Sequence, residues 1–508
     1  MSTYAALIAD HDPMHFAIGA PGRPWMSYGA LRDQAGYVAS ALHGFGIGRG
    51  DRVAIVLPNG PEMASAFVCV AQAAVTAPLN PGYKQDEYAF YLDDLKARAL
   101  IVMEGYDGPA LAAALGLGIS VIRVVVGPEH PAGGFVLTQD GDALQGADTV
   151  APTSGDVALI LHTSGTTSRP KIVPLLQSNV VASARHIEAS LALSAEDRCM
   201  NVMPLFHIHG LIAAVSATLA SGGQVWCAPG FDALKFFTWM GEAAPTWYTA
   251  VPTMHQAILS RAPRNTETIA AHPLRFLRSS SASLPPQVFK ALEEAFNAPV
   301  IEGYGMTEAA HQMASNPLPP RAQKPGSVGV EAGPQVRIAH EAEPRLIDGV
   351  GEIVISGPNV TPGYESNDKA NAENFFEAGG QRWFRTGDQG QFDADGYLSL
   401  TGRLKEIINR GGEKISPLEI DEMLMDHPDV AQVVSFAVPH PKLGEEVGAA
   451  IVLKDGKTTE AELKAFAKTR VAEFKIPRHI IIMDEIPKGA TGKMQRIGMA
   501  EKLGLVTP

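Results

Sequence analysis

The sequence predicts an α/β protein, with a large N-terminal domain of mixed α/β subdomains and a small α+β domain at its C-terminal end. Three observations carry that expectation. The first third alternates helix-period apolar patterns with short β-branched runs, as parallel sheets covered by helices do. A change of texture after Gly402-Arg403 opens a block of roughly 100 residues with its own helices and strands, enough for a separate small domain. And 508 residues are more than one hydrophobic core ordinarily organises.

The elements follow in chain order. Leu31, Ala35, Val38, Leu42 and Phe45 recur at helical spacing, and Gly44, Gly46, Gly48 and Gly50 then break the chain. Residues 53–57 form an apolar run stopped by Pro58, and 62–74 read as a second helix. Residues 100–103 and 121–126 are buried-strand candidates. Residues 157–161 form another apolar strand that runs straight into a Ser/Thr/Gly loop. Ligands of open α/β sheets lie at the carboxyl ends of strands, so this junction is a place for a site. Farther on, 352–356 read as a strand and Asp393-Ala394-Asp395-Gly396-Tyr397 as a hairpin turn. The final block reads as helix 417–425, strands 430–438 and 447–453, helix 460–471 and strand 479–483, with the boundary near Leu404.

Composition narrows the function. Charged residues make up 19% and the hydrophobic set 46%, ordinary for a globular enzyme. A formal net charge of -13 repels nucleic-acid backbones at long range, so no nucleic-acid partner is expected and any phosphate must be held by local donors. Cys69, Cys199 and Cys227 are far apart and form no CxxC pair, which argues against disulfides or zinc and for a reducing compartment. Residues 1–14 lack the apolar stretch of a signal peptide, no run is long enough to span a membrane, and the C-terminus is not a peroxisomal tripeptide. The expectation is a cytoplasmic protein without a membrane partner.

Four segments carry chemistry. Thr163-Ser164-Gly165-Thr166-Thr167-Ser168-Arg169-Pro170-Lys171 is rich in hydroxyls and glycine. Such a loop can aim backbone N–H groups and hydroxyls at phosphate oxygens, with Lys171 adding charge, although no Gly-Lys-[Ser/Thr] closes it as in a Walker loop. Glu302-Gly303-Tyr304-Gly305-Met306-Thr307-Glu308 follows a strand-like Pro299-Val300-Ile301. Its glycines allow close backbone approach, Tyr304 offers a face for a base, Thr307 a hydroxyl for a phosphoryl oxygen, and Glu308 a hard ligand for Mg²⁺. Arg385-Thr386-Gly387-Asp388 precedes Gly402-Arg403-Leu404-Lys405-Glu406, and an Asp suits the two hydroxyls of a ribose. Pro487-Lys488-Gly489-Ala490-Thr491-Gly492-Lys493-Met494 places a lysine among small residues. Taken singly, each segment admits a plainer reading: a flexible surface loop, a turn with an exposed acid, an Asp in a turn, a solvated lysine.

Together, in this order and spacing, they resemble the superfamily of acyl-CoA synthetases, peptide-synthetase adenylation domains and luciferases, over about residues 28–495. The resemblance implies an adenylate-forming domain at 1–402, a hinge at 403–405 containing Lys405, and a mobile cap at 406–508. It implies ATP and coenzyme A as co-substrates and Mg²⁺ as cofactor. Thr163, Ser164, Gly165, Thr166, Thr167 and Lys171 would hold the β- and γ-phosphates. Ala282, Ser283, Glu302, Gly303 and Tyr304 would surround the adenine, with Tyr304 stacked on it. Thr307 would contact the α-phosphate, Glu308 would bind the metal, and Asp388 and Arg403 would hold the ribose. Lys493 would be the catalytic lysine of adenylation. Gly411 and Gly412 would line the channel for the thiol arm, and His207 would gate it from the acid pocket. His209 is read as structural.

Local features resemble the oxalate–CoA ligase group within that superfamily. These are Ser168-Arg169 in the phosphate loop, Arg278-Ser279-Ser280-Ser281-Ala282-Ser283-Leu284, and Glu308-Ala309-Ala310-His311 followed by Ser315-Asn316-Pro317-Leu318-Pro319 and Lys324-Pro325-Gly326-Ser327-Val328-Gly329. Ile172 departs from the glycine usual at its position. Oxalate has no apolar tail, so its pocket should be short and polar. Ser281 and His311 are the expected donors, with Arg278 or His207 adding charge; a helix-surface histidine is the plainer reading of His311. Malonate is the nearest competitor, but malonyl-CoA synthetases tend to carry an arginine where this chain has Gly303. An enzyme that loads a carrier protein instead of free coenzyme A would share all four motifs.

Overall fold

The apolar runs of the first third become one seven-stranded sheet in the computed structural model, which describes residues 2–163, 170–454, 456–488 and 494–506. Its strands lie in the order Val136–Asp140, Ser120–Val125, Ala99–Met103, Arg52–Val56, Val75–Pro78, Val157–His162 and Ile172–Leu176. The inner five run parallel, and the two outer strands pair antiparallel to their neighbours. Parallel neighbours need crossover connections, and the helices Pro61–Val70, Gln85–Asp94 and Pro109–Gly116 supply them. All four residues of Val75–Pro78 are buried, as strands covered on both faces must be.

A second sheet has nine strands, of which the sequence marks only the one that begins at Val300. Its parallel middle contains Gln224–Cys227, Arg198–Asn201, Trp247–Ala250, Phe276–Ser280 and Val300–Met306, in that spatial order. The strand His311–Ser315 folds back antiparallel onto Val300–Met306. One apolar core joins the two sheets. Phe67 and Val70 of Pro61–Val70, Val180 and Ile187 of the helix Gln177–Ser190, and Leu211 and Ile212 of the π-helical segment His209–Ser216 meet in it. Six further strands, among them Gly351–Ser356, Gln381–Phe392 and Leu398–Arg403, form a third, antiparallel sheet.

The small C-terminal domain folds as its block of elements suggests. The long strands Val430–His440 and Gly444–Leu453 pair antiparallel, His479–Ile482 adds a parallel strand, and Ile408–Arg410 with Glu413–Ile415 makes a hairpin at the edge. Ser416 caps the helix Pro417–Met425 by accepting from the Glu419 amide, and Pro417 costs no intrahelical bond at that first position. Thr459 and Glu462 form a capping box on Glu460–Lys468. Ile420, Leu424, Val433, Val447, Ile451 and Leu463 fill the core between them. Among the described residues, side-chain hydrogen bonds that tie this domain to the rest include Lys414 Nζ to Glu341 Oε2 at 2.8 Å and Gln287 donating to Asp426.

Several boundaries differ from expectation. The helix expected over 62–74 ends at Val70, where the Ala73 and Ala74 amides both bond back to the Val70 carbonyl and turn the chain into Val75–Pro78. Ala71, Gln72, Ala73 and Ala74 are all good helix formers and give no local stop signal, so the turn is set by the sheet the chain must enter. The helix expected over 460–471 closes at Lys468. All three cysteines are free and buried, in keeping with a reduced protein, and burial pushes their thiols up. Among the described residues no helix is long and apolar enough to cross a membrane.

Candidate active site

The motif 302–308 is the spine of the site, and it is no turn. Val300–Met306 is a strand that carries the motif through the sheet, and Thr307–Ala309 continues it as one 3₁₀ turn. Both acids that flank it are buried, contrary to the plainer reading of an exposed acid. Glu302 is only 3% exposed; its Oε1 accepts the Leu284 amide at 2.9 Å and its Oε2 has no hydrogen-bond partner in the protein. Burial pushes its pKa up to about 8, opposed in part by that amide. The bond also fixes the bend 281–284, where Ser281 adopts a φ of 75 and places Ala282 and Ser283 beside the strand end.

Two clusters grow from the C-terminal half of this motif. In the first, the Tyr304 phenol donates to Asp388 Oδ2 at 2.5 Å, and Arg403 Nε donates to Asp388 Oδ1 at 3.0 Å. Asp388 and Arg403 are register partners on adjacent strands, so the sheet itself brings the pair together. The carboxylate of Asp388 raises both Arg403 and, with burial, the Tyr304 phenol. In the second cluster, the Tyr364 phenol donates to Glu308 Oε1 at 2.8 Å, while the Lys171 ammonium sits 4.3 Å from the centre of the Tyr364 ring. Burial raises Glu308; Tyr364, Lys171 and Arg403 oppose it. Burial lowers Lys171, Glu308 opposes that shift, and the Lys405 ammonium adds to it. The sequence-predicted Lys171, Glu308 and Lys405 therefore share one electrostatic neighbourhood.

Thr163 and Lys171 close the base of the loop expected to hold phosphate: the Thr163 amide donates to the Lys171 carbonyl at 3.0 Å and the Lys171 amide to Thr163 Oγ1 at 3.3 Å. Ser164, Gly165, Thr166 and Thr167 lie outside the described residues, as does Lys493. Gly411 and Gly412, with φ of 61 and 98, make the tight turn between Ile408–Arg410 and Glu413–Ile415, a turn that favours residues without a Cβ.

A third cluster gathers the candidates for the acid. His209 is fully buried, with Nδ1 2.9 Å from Ser281 Oγ and Nε2 2.6 Å from Thr249 Oγ1. Its ring lies 5.1 Å from that of His311. His311 is 1% exposed at the first position of the strand His311–Ser315, so the helix-surface reading of it does not hold. The reason is a sharp reversal, with Ala310 and His311 at φ of 45 and 100, that turns the chain back into the sheet. Half-buried His207 accepts the His209 amide on Nδ1 at 3.3 Å. His209, read as structural, is buried as that reading requires and also orients Ser281. Nothing in the sequence singles out Tyr364, Thr249 or Gln312: Thr249 and Gln312 reach the site through strand pairing with distant residues, and Tyr364 reaches it from a loop.

Three comparisons bear on this geometry. The family model described as AMP-binding enzyme matches residues 8–365, and that of the AMP-binding enzyme C-terminal domain matches 419–493. The chain is similar to an oxalate–CoA ligase of Arabidopsis thaliana, 45% identical over 96% of both chains. It is also similar to an oxalate–CoA ligase of Saccharomyces cerevisiae, 43% identical over 91% of this chain and 88% of that one. Among solved structures, ATP-bound MatB from Rhodopseudomonas palustris superposes with a TM-score of 0.88 at 28% identity, over 99% of this chain and 98% of that one.

Proposed function

The chain belongs to the AMP-binding enzyme family and is an ATP-dependent acid–CoA ligase, and from that premise we propose that its acid is oxalate. The observation that carries the proposal is the small polar cluster of buried His209 and His311 with half-buried Ser281, hydroxyl and imidazole groups at the end of a strand paired with the motif 302–308. Similarity to two oxalate–CoA ligases along nearly the whole chain supports the same choice.

In the first step a carboxylate oxygen of oxalate bonds to the α-phosphorus of ATP and diphosphate leaves in line, giving oxalyl-adenylate. Negative charge crowds that transition state, and electrostatic stabilisation is the protein's main task. In this proposal the loop 163–167 with Lys171 binds the β- and γ-phosphates, and Thr307 and Lys493 hold the α-phosphate. Asp388, fixed on both oxygens, presents a rigid acceptor to the ribose with Arg403 beside it, and Tyr304 packs on the adenine. Glu308 fits a divalent cation: it is a hard oxygen donor whose burial penalises its charge, and Mg²⁺ needs few protein carboxylates when phosphates supply the rest. Bound Mg²⁺ would neutralise charge on the leaving diphosphate.

In the second step the thiol of coenzyme A attacks the acyl carbon and AMP leaves. That step uses neither the diphosphate nor Lys493. We place the boundary at 1–402, a hinge at 403–405 and a cap at 406–508, so that rotation about Lys405 exchanges Lys493 for the Gly411-Gly412 turn, with His207 at the passage between acid pocket and thiol. AMP formation with ATP, Mg²⁺ and coenzyme A should be highest with oxalate in a panel of oxalate, malonate, acetate and propionate. An oxalate rate below the other three refutes the choice of acid and leaves the family untouched.

A further inference from the structure

Arg278 is a charge the fold buries without an answer. Its side chain is 0% exposed in the strand Phe276–Ser280. Nη2 donates to Gln312 Oε1 at 3.3 Å, while Nε and Nη1 have no hydrogen-bond partner in the protein. No ion pair to Arg278 exists among the described residues. A buried cation is costly unless it is paired, and guanidinium is built for two-point contact with a carboxylate. Burial lowers its pKa only to about 10, so it remains charged at neutral pH.

Its surroundings say what anion would answer it. Arg278 is register partner to Thr249, whose hydroxyl meets His209 Nε2, and His209 Nδ1 meets Ser281 three residues beyond Arg278. On the strand at its other side, a Cβ on Gly303 would lie 2.8 Å from Arg278 Nη2, so the glycine makes room for the guanidinium; a Cβ on Gly305 would overlap the His311 carbonyl oxygen, so that glycine admits the backbone that carries His311. If Thr307 and Glu308 serve the reacting phosphoryl group as proposed above, the reacting carboxylate lies toward that end of the strand, and the strand Phe276–Ser280 beside it is where the other end of a two-carbon diacid would be met.

We propose that Arg278, seated over Gly303, receives the distal carboxylate of the acid and thereby selects a dicarboxylate over a monocarboxylate of the same size. This rests on the oxalate reading above. The pair of substrates that isolates it is oxalate and oxamate, which differ only in a distal carboxylate against a neutral amide.

The wild-type enzyme should favour oxalate over oxamate in kcat/KM by on the order of 100-fold, as loss of a partner to a buried charge usually gives. In Arg278→Met the ratio should collapse to within about threefold, because oxalate turnover falls far more than oxamate turnover. The melting temperature of the variant should not drop, since an uncompensated buried charge has been removed. A folded Arg278→Met that keeps the wild-type ratio overturns the assignment. Should that variant unfold, the wild-type protein still decides: with AMP present, oxalate must raise its melting temperature and oxamate must not, and an equal rise with both overturns the assignment. A wild-type enzyme that ignores oxalate but prefers malonate to its monoamide refutes the oxalate reading and keeps the role of Arg278. One that prefers neither diacid to its monoamide removes that role.

Discussion

Substituting Glu302→Gln should change how stability depends on pH, by an amount that follows from the burial of one carboxyl. Glu302 is buried at the strand end with one oxygen on the Leu284 amide and the other without a partner, and its pKa stands at about 8 against an ordinary 4.5. Between those values the folded chain holds a proton that the unfolded chain has released. Its stabilising contribution is therefore complete below pH 4.5 and is lost as pH rises through 8. One proton is worth about 1.4 kcal/mol per pH unit, so the loss across the interval approaches ~5 kcal/mol, with roughly 3 of it gone by pH 7. Glutamine keeps the size and the acceptor for Leu284 but does not titrate. Its second donor, left unpaired, costs about 1–3 kcal/mol at every pH and shifts the curve without bending it. Urea unfolding at a series of pH values, read as the difference between variant and wild type, should show the variant gaining steadily from pH 4.5 to 8.5. Parallel curves would refute the argument, as would a variant that loses ground at high pH.

Other substitutions test other links. Tyr364→Phe removes the donor on Glu308 Oε1 and should cost about 1–3 kcal/mol in urea unfolding, with a higher Mg²⁺ requirement in ATP–diphosphate exchange; an unchanged Mg²⁺ dependence would leave Tyr364 outside the nucleotide site. Lys405→Pro should slow thioester formation from a preformed adenylate at least tenfold more than it slows adenylation, and equal losses in the separately assayed half-reactions would count against a hinge there. Ser281→Ala combined with His311→Ala should raise the KM for oxalate by roughly 5- to 150-fold while leaving the KM for ATP near its wild-type value, given about 0.5–1.5 kcal/mol for each of two lost hydrogen bonds; oxalate turnover that does not change would remove the pocket.

The strand at 302–308 could be read in the sequence because its residues are contiguous, and the Asp388–Arg403 pair because each residue stands in a short distinctive segment that the sheet pairs with the other. The loop 163–171 stands out by its hydroxyls and glycine, but most of it lies outside the described residues. The proposed acid pocket was legible only as single candidates, Ser281, His311, Arg278 and His207, and not as a cluster. Arg278, Thr249 and His209 come together because parallel strands in a nine-stranded sheet set Thr249 beside Arg278, and that register depends on core packing spread over a hundred residues. Most of that sheet escaped notice because its strands are short and wholly buried, which erases the alternation that marks a half-exposed strand. In the small domain the helix starts were legible to the residue, since Ser416-Pro417 and Thr459 with Glu462 are local start signals that need no tertiary context, while the edge hairpin and several ends were not. His311 defeated local reasoning because its burial follows from a backbone reversal at Ala310 that no turn residue announces.

In the proposed reaction, the neighbourhood of Lys171, Glu308 and Arg403 lets a weakly nucleophilic carboxylate expel diphosphate from ATP. Isotope exchange between labelled diphosphate and ATP, with Mg²⁺ and no coenzyme A, isolates that event from everything after it. The label should enter ATP when oxalate is supplied and stay out when no acid is present. Absence of exchange with every carboxylate offered would contradict the account at its root.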